Sequence, residues 1–154
     1  MTIPSITNPG FETGSAPWSS ITQSADYANS GTYSGKITTD GQAPGYGEGT
    51  QTLSWSDSYQ GGLITFKMYV RPPSASYTAQ LGLNDGVATT YGSERVGGSG
   101  FVLATVTKTL SLAATQLIII CRFNNSQEIE ASCYFDDATI LASLYGGQQI
   151  IIIS

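Results

Sequence analysis

The chain has 154 residues, 40% of them hydrophobic and only 11% charged, with 11 acids against six cations, a net charge of −5 and no histidine. That length suits one domain that buries its own core. The missing histidine removes the usual general base, the usual zinc ligand and every Ser-His or Cys-His nucleophile arrangement. Lys36, Lys67, Arg71, Arg95, Lys108 and Arg122 are scattered along the chain, which argues against a phosphate-tracking surface and so against nucleic acid as a partner.

Met1-Thr2-Ile3-Pro4 opens the chain without a basic segment or an apolar stretch. The expectation is a mature or excised chain, or one that leaves the cell by lysis or assembly, located outside the cell or on a virion surface. Apolar and polar residues then alternate in short segments, at 30–39, 50–55, 63–71, 76–84, 100–112, 117–124 and 131–141. Between them lie breaks such as Gln60-Gly61-Gly62, Arg71-Pro72-Pro73, Asn84-Asp85-Gly86 and Gly97-Gly98-Ser99-Gly100. Helical periodicity is absent, and this spacing predicts an all-β antiparallel sandwich.

In segment 63–71 the two-residue period turns Ile64, Phe66, Met68 and Val70 to the core and Thr65, Lys67, Tyr69 and Arg71 outward. By the same rule Tyr77, Ala79, Leu81 and Leu83 oppose Thr78, Gln80, Gly82 and Asn84. Leu117, Ile119, Cys121 and Phe123 oppose Ile118, Ile120, Arg122 and Asn124. Stacked side by side, these outward faces would line a groove, with Ile118 and Ile120 making it apolar. Cys121 and Cys133 flank a turn at 125–127 and either face each other as a disulfide across a hairpin or remain two buried thiols. Trp18 and Trp55 read as packing residues. The apolar runs 117–121 and 150–153 are far too short to cross a bilayer, so no membrane insertion is expected. Residues 1–142 read as the domain and 143–154 as a β-prone tail, expected to pair with another chain as in a homo-oligomer or to begin a further connection.

Ile6-Thr7-Asn8-Pro9-Gly10-Phe11-Glu12-Thr13-Gly14, followed by Trp18, resembles the opening of the jelly-roll carbohydrate-binding modules that bind xylan, β-glucan and related polysaccharides. Asn29-Ser30-Gly31-Thr32-Tyr33-Ser34-Gly35-Lys36-Ile37 is similar to their second signature, 51–72 to their central strands, and Tyr134-Phe135-Asp136-Asp137-Ala138-Thr139-Ile140 to their closing strand. The resemblance spans about residues 5–141 in outline and implies jelly-roll topology. It also implies a structural calcium ion held by the Gly10 carbonyl, the Glu12 carboxylate, the Tyr33 carbonyl and the Asp136 carboxylate, with Ser30 where some relatives carry another acid and Asp137 in reserve. Hard oxygens of this kind are what Ca2+ takes. In the alternative, Glu12 caps a turn and Asp136 bonds a loop.

A sugar site needs flat aromatic faces for the C–H surfaces of pyranose rings and a few polar groups for hydroxyls. By resemblance Tyr46 stands where relatives carry a groove aromatic, and Tyr91 stands on a loop bordering the cleft. Glu48, Tyr69, Gln80, Asn84, Arg122, Arg95 and Asn124 supply the polar remainder. The implied function is non-catalytic recognition of a polysaccharide or cell-surface glycan through a concave sheet face. The alternative is a virion decoration or fibre protein that uses the same sandwich against capsid or other virion proteins. Catalysis finds no support, because the adjacent acids Asp136 and Asp137 are expected to point to opposite faces of a strand and Glu128 and Glu130 lie in a turn.

Overall fold

The computed structural model describes residues 4–42, 45–127 and 129–143, and the backbone of 149–150. Burial follows the two-residue period where the sequence predicts it. In Leu63–Arg71 the side chains of Ile64, Phe66, Met68 and Val70 are wholly buried, while Thr65, Lys67, Tyr69 and Arg71 remain partly exposed. A strand with one apolar and one polar face pairs into a sheet and packs its apolar face on another sheet.

The strands are β1 (Thr22–Ser24), β2 (Ser34–Thr39), β3 (Gly45–Thr52), β4 (Leu63–Arg71), β5 (Tyr77–Asn84), β6 (Thr89–Tyr91), β7 (Arg95–Val96), β8 (Val102–Thr109), β9 (Ile118–Asn125), β10 (Ala131–Ser143) and β11 (Gln149–Ile150). One sheet runs β1-β2-β10-β4-β8, with β11 beside β10, and the other runs β3-β9-β5-β6, with β7 beside β5. All the pairings are antiparallel. The result is an all-β jelly-roll sandwich. Its seam is filled by Phe66, Met68, Leu81, Leu83, Ile119, Phe123, Phe135 and Ile140. Among the described residues the only helical element is a 3-10 turn at Asp57–Tyr59.

Several boundaries differ from expectation for physical reasons. The strand expected at 50–55 occupies Gly45–Thr52. Its glycines are required by close approach, since a Cβ on Gly47 would stand 2.5 Å from Ile37 Cγ2 and one on Gly49 would overlap Ile21. The short strands β1, β6 and β7 carry too few residues to display an alternation. Cys121 and Cys133 lie on β9 and β10, which belong to different sheets, so the turn between them is a crossing from sheet to sheet. Both are buried free thiols, and the Cys121 thiol lies 3.4 Å from Met68 Sδ. Asp136 and Asp137 do not point to opposite faces, because a bulge shifts the β10–β4 register between Asp136 and Thr139 and puts Asp137 at φ 51°. β10 runs on to Ser143, and Gln149–Ile150 pairs with Ala142 and Ser143 of the same chain. The rest of the expected tail, like Glu128, lies outside the described residues.

A buried acid ties the loop after β5 to the loop after β8. Asp85 is 1% exposed, and its carboxylate accepts from the backbone N–H groups of Val87, Ala88 and Ser111 at 2.9–3.0 Å, with Lys108 Nζ at 3.5 Å. Burial opposes its charge, but the N–H groups of Ser111, Ala88 and Val87 and then Lys108 outweigh that and hold the carboxyl below its usual range. A depressed folded pKa contributes stability above the unfolded value, about 3.9, and that stability is lost as pH falls through the lower folded value. Asp85→Asn leaves Lys108 without its counter-charge and should lower stability at neutral pH by about 3 kcal/mol in urea denaturation. The gap between the variant and the parent should narrow below about pH 4.

Candidate functional site

Registers across the five-stranded sheet lay out its outer face in rows. Tyr46 of β3, Asn124 of β9, Thr78 of β5 and Val96 of β7 form one row, and Glu48, Arg122 and Gln80 form the next. Thr50, Ile120, Gly82 and Tyr91 form the third, and Thr52, Ile118, Asn84 and Thr89 the fourth. Their strand neighbours Ala79, Leu81, Leu83, Ile119, Cys121 and Phe123 lie in the seam. All these rows therefore face away from the core.

Arg122 is the centre of the face. Its guanidinium carbon lies 4.3 Å from the Tyr46 ring centroid and 4.2 Å from that of Tyr91, so it is stacked between two tyrosines. Glu48 fixes it there: Oε1 accepts from Arg122 Nε at 2.6 Å, pairs with its terminal nitrogen, and accepts from the Tyr91 hydroxyl at 2.6 Å. Charge-assisted bonds of this kind, with cation–π contact on both faces, hold a long side chain in one place before any ligand arrives. Burial first, and the bond to Glu48 second, push the Tyr91 phenol up to about 12. Tyr46 remains 55% exposed, with ring surface open to a ligand.

The other expected residues divide. Gln80 sits beside Arg122 in register, and among the described residues its amide has no hydrogen-bond partner. Asn84 is less available, because Oδ1 accepts from Gly86 N and Gln116 Nε2 while Nδ2 donates to Thr89 Oγ1. Asn124 joins the face and donates to Thr78 Oγ1 and Glu94 Oε1. Glu94 was not anticipated, since the two-residue strand β7 that follows it gives no alternation to read. Arg95 pairs opposite Ala79, one position out of step with the outward Thr78. Tyr91 lies on strand β6 rather than on a loop. Tyr69, expected in this site, does not belong to it: β4 lies in the six-stranded sheet, so Tyr69 stands on the opposite outer face. Of the two isoleucines expected to make the face apolar, Ile120 is only 6% exposed, whereas Ile118 is half-buried on the fourth row. A separate groove of about 340 Å³ opens at the edge of β3, lined by Thr38, Thr39, Asp40, Gln42 and Gly45–Gly47. It touches Tyr46 but none of Glu48, Gln80 and Arg122.

The residues expected around calcium do gather. A Cβ on Gly10 would lie 3.5 Å from Asp136 Oδ1, 3.7 Å from Asp137 Oδ1 and 4.0 Å from Glu12 Cγ. Glu12 Oε1 accepts from Thr32 N and Tyr33 N, and Gly31 adopts φ 64° against the same carboxylate, where a side chain would collide. Asp136 Oδ2 accepts from Asn29 N and Ser30 N, and Oδ1 from Asp137 N. Asp137 accepts from Ser30 Oγ and Asn29 Nδ2. Burial above all, with the Asp137 charge adding to it, pushes the Asp136 carboxyl up to about 6. None of the ion pairs among the described residues involves these three acids. Clustered oxygens without a balancing cation suit a hard ion in kind. The three carboxylates do not close into a cage by themselves among the described residues, so backbone carbonyls would have to complete a coordination sphere.

No protein-family model matches the chain, and no curated protein matches it. Solved structures do match its fold. A family 61 carbohydrate-binding module in complex with β-1,4-galactotriose superposes with a TM-score of 0.66 at 15% identity, over 92% of this chain and 100% of that one. The C-terminal family 22 carbohydrate-binding module of Clostridium thermocellum Xyn10B gives 0.66 at 16% identity, over 91% and 94%. The enzymatically active domain of bacteriophage CBA120 tailspike protein 4 also gives 0.66, at 14% identity, over 92% of this chain but 21% of that one. The chain therefore has the jelly-roll sandwich fold found in carbohydrate-binding modules, and at these identities the likeness is one of fold.

The anchoring of the tyrosine–arginine stack has a direct readout. In Glu48→Gln the Tyr91 phenol loses an anionic acceptor and should titrate below its value near 12. Spectrophotometric titration of variant against parent, or NMR of labelled tyrosine, checks this shift.

Proposed function

We propose that this chain is a non-catalytic carbohydrate-binding protein that holds a polysaccharide or cell-surface glycan across the outer face of its five-stranded sheet. The observation that carries this reading is the Tyr46–Arg122–Tyr91 stack anchored by Glu48. It presents ring surface, a guanidinium edge, the free Gln80 amide and Asn124 on one rigid strand framework, the mixture that sugar recognition calls for. The fold shared with known modules supports it. A non-catalytic role is supported by the acids themselves: Glu48 is committed to Arg122 and Tyr91, and Asp136 and Asp137 to the 29–30 segment. Location outside the cell follows from the same reading, and no helix among the described residues is long and apolar enough to cross a membrane.

A structural calcium ion belongs to this proposal, held by Glu12 and Asp136 with Asp137, Ser30 and the carbonyls of Gly10 and Tyr33. It would draw segment 29–33 onto β10 and relieve the buried charge at Asp136. A virion surface component is the second reading, favoured by the likeness to part of a phage tailspike protein.

A glycan array and retention on insoluble polysaccharides test the main claim. The parent should be retained, and Tyr46→Ala should bind about tenfold more weakly at unchanged melting temperature. Failure on every glycan, together with a stable oligomer, would favour the virion reading. For the ion, a chelator should lower the melting temperature of the parent and added Ca2+ should restore it, whereas Asp136→Asn should respond to neither. A parent indifferent to both treatments rejects the metal.

A further inference from the structure

The position of Tyr69 opens a second surface, on the outer face of the six-stranded sheet. Lys67, Tyr69 and Arg71 alternate along β4, each partly exposed, with fully buried residues between them. The three side chains therefore stand on one face, successive ones about 7 Å apart. In register, Tyr134 lies beside Arg71, Leu103 beside Tyr69, and Thr105 and Thr139 on either side of Lys67. Leu103 is 41% exposed, and Tyr27, which leans over from the segment after β1, is 43% exposed.

Arg71 is held without being neutralised. Its guanidinium carbon lies 3.6 Å from the Tyr27 ring centroid, and Tyr27 meets the Tyr134 ring at 5.0 Å and 73°. The Tyr134 hydroxyl bonds Asp26, which also pairs with Lys36 at 2.9 Å. Among the described residues Lys36, Lys108 and Arg122 have carboxylate partners, whereas Lys67, Arg71 and, on β7 of the other sheet, Arg95 have none. In a chain of net charge −5 with six cations, two unpaired cations thus bracket one tyrosine on one strand. A guanidinium pinned by a ring keeps its in-plane N–H donors for a two-oxygen acceptor. The neighbouring acids each have other partners: Asp26 pairs with Lys36 and accepts from Tyr134, Asp136, opposite Tyr69 in register, accepts from three backbone N–H groups, and Asp137, in the bulge beside it, accepts from Ser30 Oγ and Asn29 Nδ2.

We infer that this face is a second binding surface, for a polysaccharide that carries carboxylates on its sugar rings. Tyr69 carries the C–H face of one ring, Arg71 takes that residue's or its neighbour's carboxylate, and Lys67 supplies charge on the other side. Nucleic acid fits less well, because tracking phosphates takes a run of cations that this face lacks. Affinity electrophoresis in native gels containing polygalacturonate, at about 0.1 M salt, tests it. The parent should be retarded, and Arg71→Gln and Tyr69→Ala should bind about tenfold more weakly. Lys67→Gln, a change at a side chain with no partner among the described residues, should bind more weakly and also melt as the parent does, which separates lost binding from lost fold. No retardation of the parent, equal retardation of parent and Arg71→Gln, or equal competition by single-stranded DNA would each overturn the assignment. Retention on neutral glycans reads out the opposite face, so the two surfaces stand or fall separately.

Discussion

Packing two sheets face to face imposes a two-residue period on every strand, and both outer faces of this protein are built by that imposed period. Phe123 and Cys121 are drawn into the seam, so Arg122 between them has to stand outward. Phe66, Met68 and Val70 are drawn inward from the other side, so Lys67, Tyr69 and Arg71 stand outward there. Burying each large apolar side chain contributes about 1.5–3 kcal/mol, and a slip of one residue would expose every one of them along a strand. The polar faces are therefore held in register by apolar residues that never touch a ligand.

Loops are secured by carboxylates that accept backbone N–H groups. Asp85 joins the turn after β5 to the turn after β8, while Glu12 and Asp136 gather segment 29–33 against the opening of the chain and β10. Both thiols stay buried and free. Among the described residues, three of the six cations are held in ion pairs. Lys36, Lys108 and Arg122 each have a carboxylate partner, and the half-exposed strand β4 carries two cations that have none among the described residues.

Much of this was legible in the sequence. The inward and outward sets of β4, β5 and β9 stand as the alternation predicts, and Trp18 packs in the core with Trp55 against it. Tyr46, Glu48, Gln80, Tyr91 and Arg122 come together on one face as expected. Four features were not legible. Tyr69 belongs to the other sheet, Asp136 and Asp137 share a side because of a bulge, Glu94 enters through a two-residue strand, and Ile120 lies buried although it points outward. Each depends on a neighbour far away in the chain.

The sequence by itself determined that the chain is an all-β sandwich, which side of each long strand is apolar, and that no histidine chemistry is present, because alternation and composition are local properties. Only the tertiary structure decided which strands share a sheet. Strand pairing is a contact between distant segments, and a strand's own pattern names the face it buries without naming the neighbours beside which it lies. That single difference separates Tyr46, Arg122 and Tyr91, stacked on one face, from Tyr69 and Arg71 on the other.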